Sequence, residues 1–190
     1  MNSFEYLSVF IAVIMGLAVT RLLSGIGASL RHRKSIEGHW VHSLWALNIL
    51  VYVISIWWAL FAWNQLPDWN YFLFLFIVSY AIVLYLLSDA LYPDRIRPGL
   101  DLKTHFIEHR GLFFGLLFIA TVLDIPETVL KDVAGLRPVP VSYWVLHLVW
   151  FVVPPIGFLT TNPKVHGVLP AAWFLATVIY VGWGLLALAG

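Results

Sequence analysis

Cysteine is absent from this 190-residue chain, which removes disulfides, thiolate nucleophiles and cysteine-ligated metals from consideration. Charge is scarce: Asp, Glu, Lys and Arg make up 11% of the residues, against about 25% in soluble domains. So little charge cannot keep the surface of a soluble fold wetted. The net charge is +1, and this balance points to no nucleic-acid partner and no acidic ligand. Also missing are a P-loop, the glycine motifs of dinucleotide-binding and nucleophile-elbow sites, a potassium-filter sequence and a row of regularly spaced arginines. No cofactor is implied. Residues 1–6 lack the basic segment of a cleavable signal peptide, and the apolar stretch that follows is too long for one. It is expected to be retained as a first span.

What is present is apolar. Hydrophobic residues make up 61% of the chain and the mean hydropathy is +0.87. A membrane-crossing helix needs about 20 mostly apolar residues, and six stretches qualify: 4–30, 40–63, 71–92, 111–130, 141–160 and 168–188. Continuous apolar runs, rather than short alternating segments, argue for helices and against a transmembrane barrel. The reading is an all-α integral membrane protein, a single domain over 1–190 built as a bundle of six transmembrane helices. A short interfacial amphipathic helix around His105 to Arg110 is expected before the fourth span.

Lys and Arg concentrate in alternate connections. Arg31, Arg33, Lys34, Arg95, Arg97, Lys103, Arg110 and Lys164 fall on one side, and only Lys131 and Arg137 on the other. Positive charge is retained on the cytoplasmic side. Both termini are therefore expected to be periplasmic and the Arg31–Lys34 side cytoplasmic, in a bacterial inner membrane.

Span one carries small residues every fourth position: Ala12, Gly16, Thr20, Ser24 and Ala28. They share a helix face, and small residues let membrane helices approach closely. The stripe is expected to pack inside the bundle, so that Gly16→Leu harms stability more than Leu17→Ala; a homodimer seam is the alternative. Trp40, Trp63, Trp69, Tyr71, Tyr92, Tyr143 and Trp144 read as interfacial aromatics. Trp45, Tyr52, Trp57, Trp58 and Trp150 lie deeper, as lipid-facing bulk or as the lining of a pocket.

Charges inside a span need a partner or water. Arg21 and Asp89 sit at comparable depth in spans one and three and are candidates for an ion pair, unless Arg21 snorkels to the interface. Asn48, with Thr20 and Ser24, would extend that patch. Near the opposite face, Asp124, Glu127, Tyr143 and His147 are candidates for proton or cation binding. The competing expectation is that Asp124-Ile125-Pro126-Glu127 breaks the helix and leaves both acids in water. His105, Glu108 and His109 form a weak candidate metal set. Pro154-Pro155 followed by Gly157 is expected to kink or unwind span five.

Three functions suit these features. A small transporter or channel for protons, ions or a small solute requires a polar or water-filled route from Asp124, Glu127 and His147 to Asn48, Arg21 and Asp89; a dry, packed core between the two clusters counts against it. An accessory or assembly subunit would pack laterally against another membrane protein, or against itself, with the lipid bilayer as its surroundings. A membrane-embedded enzyme acting on lipid or a quinone would use His105, Glu108 and His109 with Asp89.

Overall fold

The computed structural model describes residues 3–189, with side chains over 4–182. Six α-helices follow in order: α1 (Ser3–Arg31), α2 (Trp40–Leu60), α3 (Tyr71–Ala90), α4 (Leu102–Val133), α5 (Val141–Leu159) and α6 (Pro163–Ala189). A 3-10 turn over Phe61–Gln65 extends α2. No strand occurs among the described residues. All six helices are long and apolar enough to cross a membrane, each with an 18-residue window of mean hydropathy 1.6 or higher.

Local chemistry marks the starts of α3 and α4 and the end of α4. The Asn70 side chain accepts from the Leu73 amide and caps α3, and Asp101 accepts from the Lys103 amide and caps α4. These are the free donors that every helix start exposes. The Thr104 hydroxyl, bonded to the other Asp101 oxygen at 2.5 Å, holds that carboxyl below its ordinary range. Gly135, at φ +70°, supplies the left-handed residue that ends α4.

The helices pack as a closed ring, α1 on α3, α3 on α4, α4 on α5, α5 on α6, α6 on α2 and α2 back on α1, with α2 also reaching α3 and α4. The loops at the end bearing Arg31–Lys34, the basic end, are stitched together. Gly99 N donates to Ser35 O, Glu37 N to Leu100 O and Leu102 N to Glu37 O.

Three expectations need correction. No separate interfacial helix precedes the fourth span: residues 102–110 form the first turns of the 32-residue α4, because neither a proline nor a positive-φ glycine interrupts them. Pro126 does not break α4 either; proline removes one backbone bond, and packed neighbours in a bundle tolerate that. The expected unwinding at Pro154-Pro155 is absent for the same reason, and α5 runs through to Leu159 as one helix.

The face that α1 buries is also different. Ile11, Met15, Ala18, Leu22 and Gly25 point inward, alternating by four and three residues as a helix seam does. Gly16, Thr20 and Ser24 are exposed, with Ala12 and Ala28 at the margins, and a Cβ on Gly16 would meet nothing within 4 Å. The close approach occurs one residue along, where a Cβ on Gly25 would collide with the Tyr92 ring. Larger side chains bury more area per residue than the small stripe does, so the bundle takes the Ile11–Leu22 face.

Candidate functional site

Two polar clusters occupy opposite ends of the bundle, one buried and one partly exposed. At the end opposite the basic loops, Asp124 and Glu127 are three residues apart on α4 and share one helix face. Both are buried, which overturns the expectation that they face water. Asp124 accepts from the Tyr143 hydroxyl at 2.9 Å and from the Tyr80 hydroxyl at 3.2 Å. Tyr80 in turn accepts from Tyr52 at 2.9 Å. His147 Nδ1 is 3.6 Å from Asp124 Oδ2, and the Tyr143 and His147 rings lie 5.0 Å apart. The expected group of Asp124, Tyr143 and His147 is thus assembled.

Glu127 forms a second unit. It accepts from the Trp63 indole at 3.0 Å and pairs with Lys131 Nζ at 2.6 Å. Lys131 is itself buried and lies 5.9 Å from the centre of the Trp63 ring, a cation–π arrangement. Trp63 and Tyr143, read from sequence as interfacial, are internal members of this network. Tyr52, Tyr80 and Lys131 were not identified as site residues from the sequence. Only Lys131 left a signal, its position one turn beyond Glu127.

At the basic end, Arg21 Nε meets Asp89 Oδ1 at 2.6 Å, and Arg21 Nη2 donates to the Tyr92 carbonyl at 3.0 Å and lies 3.8 Å from Asp94. The ion pair holds, with the two side chains 22% and 45% exposed. The extension through Asn48 fails. Asn48 donates to the Pro170 carbonyl at 2.8 Å, tying α2 to α6, while Thr20 and Ser24 point outward.

Between the clusters the core is aromatic. The hydrogen-bonded chain from Asp124 ends at Tyr52, whose ring packs 5.9 Å from Trp173. Beyond it, Trp45 lies 5.3 Å from Phe113, 5.5 Å from Phe114 and 5.9 Å from Trp173, all four at 1% exposure or less. Trp45 is therefore core, whereas Trp57 and Trp58 are exposed. No hydrogen bond among the described residues joins Tyr52 to Asn48, or either to Arg21 and Asp89. The polar route that a channel requires is interrupted. A cleft between α4 and α5, bounded by Phe118, Pro154 and Phe158, is lined only by apolar groups and glycine.

The histidine cluster does not form the expected metal set. The His105 and His109 rings sit 4.3 Å apart, but His109 Nδ1 is bonded to the His105 carbonyl. No group of three or more His, Asp or Glu side chains with metal-binding geometry occurs among the described residues. Asp89 is committed to Arg21, so the enzyme constellation of His105, Glu108, His109 and Asp89 is not brought together. No family model, no curated protein and no solved structure matches the chain.

Proposed function

We propose that the protein is an integral membrane subunit that packs laterally against a helix of another membrane protein through the outward face of α1. The observation that carries this reading is the exposed stripe Gly16, Thr20 and Ser24, flanked by Ala12 and Ala28. Small residues give lipid little to grip but let a second backbone come close, and their hydroxyls can hydrogen-bond across the contact. The interrupted polar route favours this reading over a standing channel. The Lys and Arg distribution supports both termini on the periplasmic side of a bacterial inner membrane, with Arg31–Lys34 cytoplasmic. Gentle extraction from native membranes tests the proposal. A stoichiometric partner is expected to copurify with wild type and to be lost from Thr20→Leu protein that still folds; a lone wild-type monomer contradicts it.

A second reading rests on a separate observation, the burial of Asp124, Glu127, Lys131 and His147 in one half of the bundle. Ionisable groups inside a membrane mark ion and proton pathways. In this reading the protein carries a proton, ion or small solute, and the aromatic layer is a closed gate that must open in another conformation. Proton and cation flux in proteoliposomes decides it. Flux abolished by Asp124→Asn and Glu127→Gln supports a carrier, and no flux under any gradient removes it.

A further inference from the structure

In the half of the bundle opposite the basic loops, Asp124, Glu127 and Lys131 on α4 and His147 on α5 are all buried. Their charges do not cancel by themselves. Glu127 and Lys131 form an ion pair at 2.6 Å, in which each charge is answered. That leaves Asp124. The Tyr80 and Tyr143 hydroxyls donate to its two oxygens, but they are neutral groups that orient the carboxyl and cancel no charge. With Asp124 ionised and His147 neutral, the cluster holds one uncancelled negative charge inside a membrane, which is strongly unfavourable. One further proton removes it, on Asp124 or on His147.

The geometry gives that proton two neighbouring seats. His147 Nδ1 is 3.6 Å from Asp124 Oδ2, beyond a hydrogen bond yet close enough for a small side-chain rotation to make one. Both ring nitrogens of His147 are buried without a hydrogen-bond partner; the Thr121 carbonyl comes within reach of the ring but not at hydrogen-bond geometry. The other groups that face the pair are neutral or screened. Helices α3 and α2 present the Tyr80 and Tyr52 hydroxyls, α6 presents the Tyr180 ring against Tyr143, and α1 buries no ionisable side chain among the described residues. Glu5, Asp68, Asp132 and Arg137 at the same end are exposed, where water screens them. A hard metal cation fits poorly, because it needs several oxygen ligands and the nearest hydroxyls already point their hydrogens at Asp124. A proton needs no cavity. The Asp124 and His147 side chains are 12% and 6% exposed, so exchange with the surroundings begins at Asp124.

We infer that this pair binds one exchangeable proton per chain, passed between Asp124 Oδ2 and His147 Nδ1, with Glu127 and Lys131 as the fixed counter-pair. In one form the carboxyl O–H is intact and the imidazole is neutral. Transfer breaks that O–H bond and forms an N–H bond on Nδ1, leaving a carboxylate and an imidazolium. The net charge of the cluster is zero in both forms, so the proton moves without creating a buried excess. The inference rests on the carrier reading for its purpose and names the carried ion as a proton.

A pH titration of detergent-purified protein tests it, read by infrared difference spectroscopy with isotope-labelled histidine and by a potentiometric proton count. Between the same pH limits, wild type is expected to bind one proton more than Asp124→Asn, and the infrared band of that step should vanish in the variant. Glu127→Gln leaves Lys131 for Asp124 to balance, so the pair should hold its proton about tenfold more weakly, the effect of one nearby charge. Equal proton counts in wild type and Asp124→Asn overturn the inference, and so does a Glu127→Gln protein that titrates as wild type does. If Glu127→Gln fails to fold, the Asp124→Asn comparison decides alone. A bound proton without flux under any gradient removes the carrier reading and leaves the proton site standing. Sodium or potassium flux that Asp124→Asn abolishes, with no extra proton bound by wild type, keeps the carrier and overturns the proton.

Discussion

At the Asp124 end of the bundle each buried carboxylate accepts two hydrogen bonds, Asp124 from Tyr80 and Tyr143, Glu127 from Trp63 and Lys131. At the basic end, buried nitrogens of His39, Arg110 and His166 have no partner at all. The first region is a closed network contributed by α2 and its 3-10 extension, α3, α4 and α5, so it ties together helices that lipid alone would not hold. In the second, these nitrogens are enclosed by the fold and no protein acceptor meets them. In a low-dielectric interior a satisfied network rigidifies, and an unsatisfied polar group is costly. Three side chains at the Asp124 end are exceptions, the Trp69 and Trp150 indoles and His147, whose nitrogens are buried without a hydrogen-bond partner; His147, beside Asp124, is what keeps the carrier reading alive.

The comparison breaks most sharply at Glu127 and Lys131. Replacing either one alone by Met strands its partner's charge in the core, and the expected loss is about 3–5 kcal/mol. The double replacement should be much less harmful than either single change. Denaturant unfolding in mixed micelles measures all three, and additive losses would mean that the pair is solvated rather than closed. Gly25→Leu drives a side chain into Tyr92 and should cost about 1–3 kcal/mol. At the basic end, Arg21→Ala and Asp89→Ala should show a coupling on the order of 1 kcal/mol in a double-mutant cycle; zero coupling would mean that the half-exposed pair contributes nothing. The smallest effect belongs to Gly16→Leu, expected within about 0.5 kcal/mol of wild type, as for open surface positions. A large loss there would put the small stripe back inside the bundle.

What could be read from sequence follows from what each signal measures. Hydropathy reports length and apolarity, so six helices were legible from the runs alone. Matching depth in spans one and three made Arg21 and Asp89 candidates for a pair, because lipid leaves a charge few alternatives, but it left snorkelling of Arg21 equally open. The face of α1 was not legible. Small-residue spacing says which side permits close approach, and not whether the approaching helix belongs to the same chain; Gly25, the residue actually pressed by Tyr92, lies one position off the stripe. Tyr52 and Tyr80 were missed because a mid-span tyrosine reads as bulk until a carboxylate is found beside its hydroxyl. Asp124 and Glu127 were placed at an interface because Pro126 between them suggested a break that neighbouring helices instead accommodate.

The central claim, an α1 face made for another helix, is tested most directly by crosslinking in native membranes. The chain has no cysteine, so Thr20→Cys and Ile54→Cys, both on exposed positions, each carry a single reactive site. A discrete adduct of constant mass is expected from Thr20→Cys and not from Ile54→Cys. No adduct from either, or equal adducts from both, would contradict a dedicated lateral contact on α1.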